Sequence, residues 1–333
     1  MPRWMTDDQP DGLEAACHHV APADDEFTAR MRFHQSWYRH HVLRLAPGPN
    51  PAARGEPYGN ILLEQDGLAG RNFLTPEVHA CVEARVREDP TGLEPKRLRN
   101  NLLSSQPMCF NLLAPLAGDL VLATRLVGRL PGLPRNLQVT AVRFEYAPVK
   151  ASHLQDNTAF DAMVEYVLPG GDRGFVGVET KLTEPFSQKG YAFDTRYSRW
   201  RGQPDWWWLP GAESSFGEKS YNQLWRNHLL AFAMLHQRAP VYRHGYCAVV
   251  YHDGDLACEQ ALQAYRRTLR PEAAHTLLEW RLSGLVHLWE GLLAGCEQRQ
   301  WIDDFRLRYL DLEASQRAWE AFTGRRHGHD GHQ

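Results

Sequence analysis

The chain has 333 residues, of which 43% are hydrophobic and 11% aromatic. This composition excludes an acidic disordered protein, and the length suffices for one large or two ordinary domains with a full core. The formal net charge of −3 excludes a histone-like coat of positive charge, but it leaves room for a local basic cleft.

The cysteines and the apolar segments indicate where the protein resides. The six cysteines form no C-x-x-C pair, which favours reduced thiols in a cytoplasm. No apolar run approaches the ~20 residues that a membrane-spanning helix requires, and the N-terminus lacks the apolar core of a signal peptide. We therefore expect a cytoplasmic protein without a membrane partner.

The first part of the chain is predicted to be mainly helical. Residues 1–25 are polar and are predicted to form a flexible leader. A helical N-terminal part then covers residues 26–135, because proline, glycine and capping signals alternate with helical periodicity. Its helices are expected at 26–45, 60–69, 75–87, 98–103 and 112–127, with a break at Pro107.

At Leu137 the hydrophobic period changes from 3.6 to 2, which predicts the start of a sheet. An α/β domain is therefore expected at 136–324, followed by a disordered, His-rich tail at 325–333. Its strands are predicted at 139–146, 159–168, 174–182 and 245–251. Its helices are predicted at 220–235, 257–267, 285–294 and 313–322.

Three charged residues are predicted to converge at one end of this sheet. Glu179 and Lys181 lie two residues apart on the third strand, so strand alternation places both on one face. If Leu168 pairs with Gly174, Asp161 on the preceding strand faces Lys181 directly and Glu179 diagonally, at roughly 5 and 7–8 Å.

These residue types suit the hydrolysis of a phosphodiester. Two carboxylates can hold Mg²⁺, which prefers oxygen ligands and keeps several waters, and Mn²⁺ is an expected substitute. A neighbouring ammonium can orient or deprotonate the attacking water and balance charge in the transition state. The chain has only five lysines against 32 arginines, so a lysine here stands out. The alternative is a surface salt-bridge cluster on a half-exposed strand face.

Three stretches resemble the PD-(D/E)xK nuclease superfamily, and in particular its uncharacterised bacterial restriction-endonuclease-like members. They are Phe160-Asp161 with residues 178–184 (VETKLTE), residues 101–112 (NLLSSQPMCFNL) and residues 221–228 (YNQLWRNH). The resemblance covers about residues 60–250. Phe160 stands where the family name has proline.

This resemblance implies an α/β (α+β) fold with a restriction-endonuclease-like core, a mixed central sheet flanked by helices in the order α-β-β-β-α-β. It also implies magnesium-dependent hydrolysis of phosphodiesters. Asp161 and Glu179 would be the metal ligands and Lys181 the catalytic lysine.

Further candidate residues surround this set. Glu145 is either an additional metal ligand or an exposed strand residue. Gln223 and Arg226 either contact the scissile phosphate and its neighbours or make polar contacts at the helix surface.

Three amides match the family stretch without an assigned chemistry. They are Asn101, Gln106 and Asn111, and we interpret them as buried amides that tie the helical part to the sheet.

The segment 196–208 interleaves arginines with aromatic residues. Arg196, Arg199 and Arg201 can bind phosphates while the rings stack on exposed bases. In the alternative interpretation, the tryptophans anchor a long loop on the core.

The sequence thus predicts a magnesium-dependent nuclease, with DNA as the expected nucleic-acid partner and restriction or defence as its role. The first alternative is a DNA-binding protein of nuclease-like fold without autonomous catalysis. A second is another acid/base enzyme, such as a carboxylate-pair glycosidase, which the lack of a second acid at a suitable strand end disfavours. A homo-oligomer is left open.

Overall fold

The structure is a computed structural model that describes residues 21, 23–50, 56–149, 153–187, 191–218 and 221–329, with the backbone alone for 325–329. The chain divides into two compact units, one formed by residues 1–111 and 293–333 and the other by residues 112–292. The division falls at 111/112, whereas periodicity predicted a boundary at 135/136. Periodicity reports local conformation, and it does not show which distant segments pack together.

The α-helices of the described residues, in chain order, are α1 (Glu26–Trp37), α2 (Glu64–Leu68), α3 (Pro76–Glu88), α4 (Pro95–Asn100), α5 (Ser105–Gly118), α6 (Leu120–Val127), α7 (Thr195–Ser198), α8 (Asn222–His236), α9 (Leu256–Arg266), α10 (Leu282–Leu292), α11 (Arg299–Tyr309) and α12 (Gln316–His329). The strands are β1 (Pro47–Pro49), β2 (Pro57–Leu62), β3 (Gln138–Tyr146), β4 (Phe160–Val167), β5 (Arg173–Lys181), β6 (His244–Tyr251) and β7 (Leu277–Arg281).

Several helices begin where the capping signals place them. Thr75 accepts a hydrogen bond from the Val78 amide at 3.3 Å, and Pro76 occupies the first position of α3, where its missing N–H costs nothing. Asp119 caps α6 by accepting from the amides of Val121 and Leu122. This cap separates α5 from α6, so the expected helix at 112–127 is in fact two helices.

Three further predictions, two for the helical part and one for the tail, were wrong in detail. Pro107 does not break a helix, because it lies in the first turn of α5, where N–H groups have no partner within the helix. The helix predicted at 60–69 is the end of β2 followed by α2, and β2 pairs antiparallel with β1. At the C-terminus, α12 continues to His329, so residues 325–329 are helical where a disordered tail was predicted.

The amides of the family stretch make their bonds within the first unit, and not to the central sheet as predicted. Buried Asn111 accepts a hydrogen bond from the Leu74 amide and donates to the Asn72 carbonyl and the Tyr309 hydroxyl. Asn101 is half-buried and accepts from the Asn60 side chain at 2.8 Å.

Gln106 also is half-buried in this unit. Its side chain donates to the Gly92 carbonyl at 3.2 Å and accepts from the Glu94 amide at 3.3 Å. The three amides therefore join loops and helices of the first unit.

The second unit contains a five-stranded sheet in the order β3-β4-β5-β6-β7. The pairs β3–β4 and β4–β5 are antiparallel, while β5–β6 and β6–β7 are parallel. The sheet is therefore mixed, and helices flank it, as the predicted fold class requires. The edge strand β7 has only five residues, too few to show a period, and the sequence did not predict it.

The β4–β5 register differs from the predicted one by two residues. Val167 pairs with Arg173, and Leu168 donates to the Asp172 carbonyl at 2.8 Å. The turn is tighter than expected because Gly170 and Gly171 adopt φ of 103° and 92°, a region that favours glycine. A shift of two residues preserves which side chains share a face.

The apolar helices bear on a possible membrane span. Among the described residues, no single helix has the length and apolar composition to cross a membrane, and α5 with α6 meets those criteria only as a pair bent by 117°.

Candidate active site

The corrected register brings the three predicted charged residues together. Extending the pairing of Ala162 with Val178 by one residue places Asp161 opposite Glu179, with Lys181 on the diagonal. This reverses the predicted partners, but all three residues lie on the same face of the sheet.

Asp161 is half-buried at the start of β4. Its Oδ2 accepts hydrogen bonds from the amide and the hydroxyl of Thr180, at 2.7 and 2.8 Å. Burial of the carboxylate and the nearby negative charge of Glu179 raise the pKa of Asp161 to about 7, although Lys181 and the Thr180 hydrogen bonds act against this rise. Asp161 is thus held next to a second carboxylate at an electrostatic cost.

Glu179 is 3% exposed and is fixed through both oxygens. Its Oε1 accepts from the Gln223 side chain at 2.6 Å and lies 2.8 Å from the Lys181 Nζ, while its Oε2 accepts from the Asn227 side chain at 2.7 Å. Gln223 and Asn227 lie four residues apart on α8 and therefore on one face of that helix.

Asn227 was not predicted as a site residue. The available signal was a pair of amides, Gln223 and Asn227, at i and i+4 in a helix that is otherwise largely apolar. Buried amides require partners, and this spacing already indicated that both would meet the same polar group.

Lys181 is buried and makes an ion pair with Glu179. Its Nζ also donates to Gln223 Oε1 at 3.2 Å and lies 5.0 Å from the centre of the Phe186 ring. Burial alone would lower the pKa of Lys181, but the charges of Glu179 and Asp161 outweigh it and raise that pKa. In the metal-free protein the side chain is therefore an ammonium, a form that suits orientation and charge balance.

The carboxylates fit a hard divalent cation. Both hydrogen bonds to Asp161 reach Oδ2, so Oδ1 accepts none from the residues that the structure describes. In that part of the chain, no group of three or more His, Cys, Asp or Glu residues is arranged to hold a metal ion. A site of two carboxylates completed by water is the manner in which Mg²⁺ is usually bound.

Glu145 lies at the level of Asp161 on the neighbouring strand, since Phe144 pairs with Ala162 and Tyr146 with Phe160. Its backbone φ of 48° departs from strand geometry. Among the described residues, Glu145 does not form a three-residue metal-binding group with Asp161 and Glu179.

Arg226 supports the start of β4. Its guanidinium donates to Thr158 Oγ1 at 2.9 Å, lies 3.6 Å from Asp156 Oδ2 and sits 4.2 Å from the Tyr191 ring centre. The Arg226 side chain that makes these contacts is only 8% exposed. The phosphate contact predicted for Arg226 stays a prediction.

The rings of the segment 196–208 pack in the core. The buried aromatic residues are Tyr197, Trp200, Trp206, Trp207 and Trp208. They are not available to stack on bases, so the anchoring interpretation holds for the rings.

The arginines of the same segment differ in their partners. Arg196 pairs with Asp194 at 2.7 Å and Arg201 with Glu213 at 3.0 Å. Arg199 instead lies 5.1 Å over the Trp200 ring.

A hydrogen-bonded chain joins this segment to α8. The Trp208 indole donates to the Tyr265 hydroxyl, which donates to His228 Nδ1, with both distances 2.9 Å. The Thr276 hydroxyl donates to Ala273 and therefore accepts from His228 Nε2, at 2.8 Å. These directions assign a neutral imidazole with its proton on Nε2.

A mixed sheet that carries an aspartate, a glutamate and a lysine on one face of a hairpin defines a restriction-endonuclease-like α/β protein. Comparison with protein-family models matches residues 22–311 to the PD-(D/E)XK nuclease superfamily, and the chain belongs to this superfamily. Comparisons with curated proteins and with solved structures found no match.

Proposed function

We propose that the protein is a metal-dependent nuclease that hydrolyses phosphodiester bonds in DNA, with restriction or defence as its role. The observation that carries the proposal is the pair Asp161 and Glu179, opposite each other beside the Lys181 ammonium. Membership in the nuclease superfamily supports the same class of activity.

Asp161 and Glu179 are the residues that would hold Mg²⁺, with Mn²⁺ as a substitute. When bound, such an ion supplies Lewis-acid activation of water and neutralises phosphate charge. Glu179 is held in place for this role by Asn227 and Gln223. Asp161 would bind the ion through Oδ1, since Oδ2 accepts the hydrogen bonds from Thr180.

Lys181 would act on the phosphate or on the attacking water. An ammonium has three donors, and two of them serve Glu179 and Gln223. The third can stabilise negative charge as it develops on a phosphate oxygen. Gln223 receives Lys181 and the Ser187 amide on Oε1 and donates to Glu179 from Nε2, which makes it a positioning residue.

The test measures whether the purified protein cleaves supercoiled plasmid, single-stranded DNA or RNA. Each substrate is incubated with Mg²⁺, with Mn²⁺ and with a chelator. We expect plasmid cleavage with either ion and none with the chelator. Glu179→Gln should remove this activity, whereas the same substitution at the exposed Glu218 should not. Equal cleavage by Glu179→Gln would place the activity elsewhere.

The same experiment separates the nuclease from the alternative without autonomous catalysis. Retained binding of duplex DNA with no cleavage under any metal condition would favour a DNA-binding protein of nuclease-like fold.

A further inference from the structure

A basic pocket lies at the far end of α8 from the candidate active site. Its volume is about 420 Å³, and it is lined by Arg199, Trp200, Gln203, His236, Gln237 and Arg238. We call it the Arg199–Arg238 pocket. Gln223 and Asn227 lie near the beginning of α8, whereas His236 is its last residue.

The described residues that line this pocket are cationic or neutral, and none of them is a carboxylate. Arg199 and Arg238 are exposed, and neither forms an ion pair with any residue in the described ranges. Arg196 and Arg201, in the same segment as Arg199, are each neutralised by a carboxylate. The amides of Gln203 and Gln237 add further donors to the pocket.

Two of the lining side chains are held on rigid aromatic supports. The Arg199 guanidinium lies over Trp200, which is 6% exposed. The indole N–H of Trp200 has no acceptor among the described residues. The His236 ring stacks on Phe232, with 3.9 Å between ring centres. A side chain that is already restrained loses less entropy when it binds a ligand.

These features select a ligand that is anionic and rich in hydrogen-bond acceptors. The C-terminal carbonyls of α8 oppose an anion, with a charge equivalent to roughly half an elementary charge. The two guanidiniums carry full positive charges and therefore outweigh this effect. A phosphate matches such a lining, because its oxygens only accept hydrogen bonds and arginine binds them in a bidentate manner.

The distance to the active site indicates which phosphate is bound. His236 follows Gln223 by thirteen residues in α8, which is about 20 Å along the helix axis. This span equals about six nucleotides at 3.4 Å each along one strand. We propose that the Arg199–Arg238 pocket binds a backbone phosphate of the nucleic acid about six nucleotides from the scissile bond. The proposal rests on the nuclease function proposed above.

The experiment compares binding by two double variants. Arg199→Gln with Arg238→Gln removes the pocket cations, and Arg129→Gln with Arg267→Gln removes the same charge from two exposed arginines outside the pocket. Binding of a labelled DNA duplex of about 20 base pairs is measured by fluorescence anisotropy, in chelator to prevent cleavage, between about 50 and 200 mM salt. In the pocket variant, the fall of log affinity with log salt should become less steep, by about 0.9 per lost phosphate contact. The control variant should keep the parental slope.

A charge-conserving variant sharpens the result. Arg199→Lys with Arg238→Lys keeps the charge and should retain the slope. Loss of slope in the Lys variant as well, together with a lower melting temperature, would show a packing role and overturn the proposal.

The outcome also separates this inference from the nuclease proposal. If the parent cuts DNA and the pocket variant keeps both affinity and slope, the pocket inference is wrong and the nuclease proposal stands. If the parent neither binds nor cuts any nucleic acid, the nuclease proposal fails and the pocket inference fails with it.

Discussion

Asn227 donates a hydrogen bond of 2.7 Å to Oε2 of Glu179, the oxygen that neither Lys181 nor Gln223 contacts. Both residues are buried, so the contact fixes the rotation of the carboxylate about its last bond. In a site built on these two carboxylates, the orientation of each one sets the affinity for a cation.

Asn227→Ala should therefore weaken metal binding and slow cleavage. Residues that orient a metal ligand change affinity or activity by about 10- to 100-fold when mutated. Isothermal titration with Mn²⁺ measures the affinity without relying on activity, and Gln263→Ala on the surface of α9 is the control. Parental Mn²⁺ affinity in a folded Asn227→Ala variant would contradict this role.

Asp161 should make the metal-free protein less stable as the pH rises. Its pKa is about 7 in the folded protein, above the ~3.9 of an unperturbed aspartate. The folded state thus binds the proton more tightly, and this contribution is complete below pH ~4 and is lost as the pH rises through about 7. Asp161→Asn should remove that part of the pH dependence, measured by urea unfolding in chelator between about pH 5 and 8.

The same substitution at the exposed Asp205 provides the control, and it should leave the pH dependence intact. Added Mg²⁺ should restore stability to the parent at the upper end of the range, since a bound cation replaces the proton. An Asp161→Asn profile identical to that of the parent would show that another group causes the effect.

The order along the chain of strands β3 to β6 and the shared face of the three charged residues could be predicted from the sequence. Strand alternation fixes the face of Glu179 and Lys181 once the strand is recognised, and any even register brings Asp161 to the same face. The register itself could not be predicted, because the tight turn depends on how Gly170 and Gly171 adopt positive φ.

The environment of the site was less accessible from the sequence. Periodicity identified α8 as amphipathic, but it does not show that Asn227 reaches Glu179 across the packed interface. The partners of Arg196 and Arg201 are acids two and twelve residues away. From composition alone, Arg196, Arg199 and Arg201 were therefore all predicted to bind phosphates.

Lys181→Met should abolish most of the cleavage while metal binding persists. Loss of one charge-stabilising donor reduces the rate by about 10²- to 10³-fold. The two carboxylates also lose their internal counter-ion, so Mn²⁺ should bind at least as tightly as it does to the parent. The measurement is single-turnover cleavage together with Mn²⁺ titration, and weaker binding in a folded variant would show that Lys181 organises the metal ligands.

His228 should make the protein sensitive to acid. Burial, aided by the charge of Arg266, lowers the pKa of His228 to about 3, compared with ~6.5 for an unperturbed histidine. The unfolded state therefore binds the proton more readily, so stability is complete above pH ~6.5 and falls as the pH drops toward 3. His228→Gln should flatten the pH dependence of the melting temperature over this range. It should also lower the melting temperature at neutral pH, because the hydrogen-bonded chain to Tyr265 and Thr276 is disturbed.

The same substitution at the exposed residue His287 should change neither property. If His228→Gln retains the parental acid sensitivity, the buried imidazole is not its source, and the anchoring of the aromatic segment through Trp208 and Tyr265 does not depend on a neutral histidine.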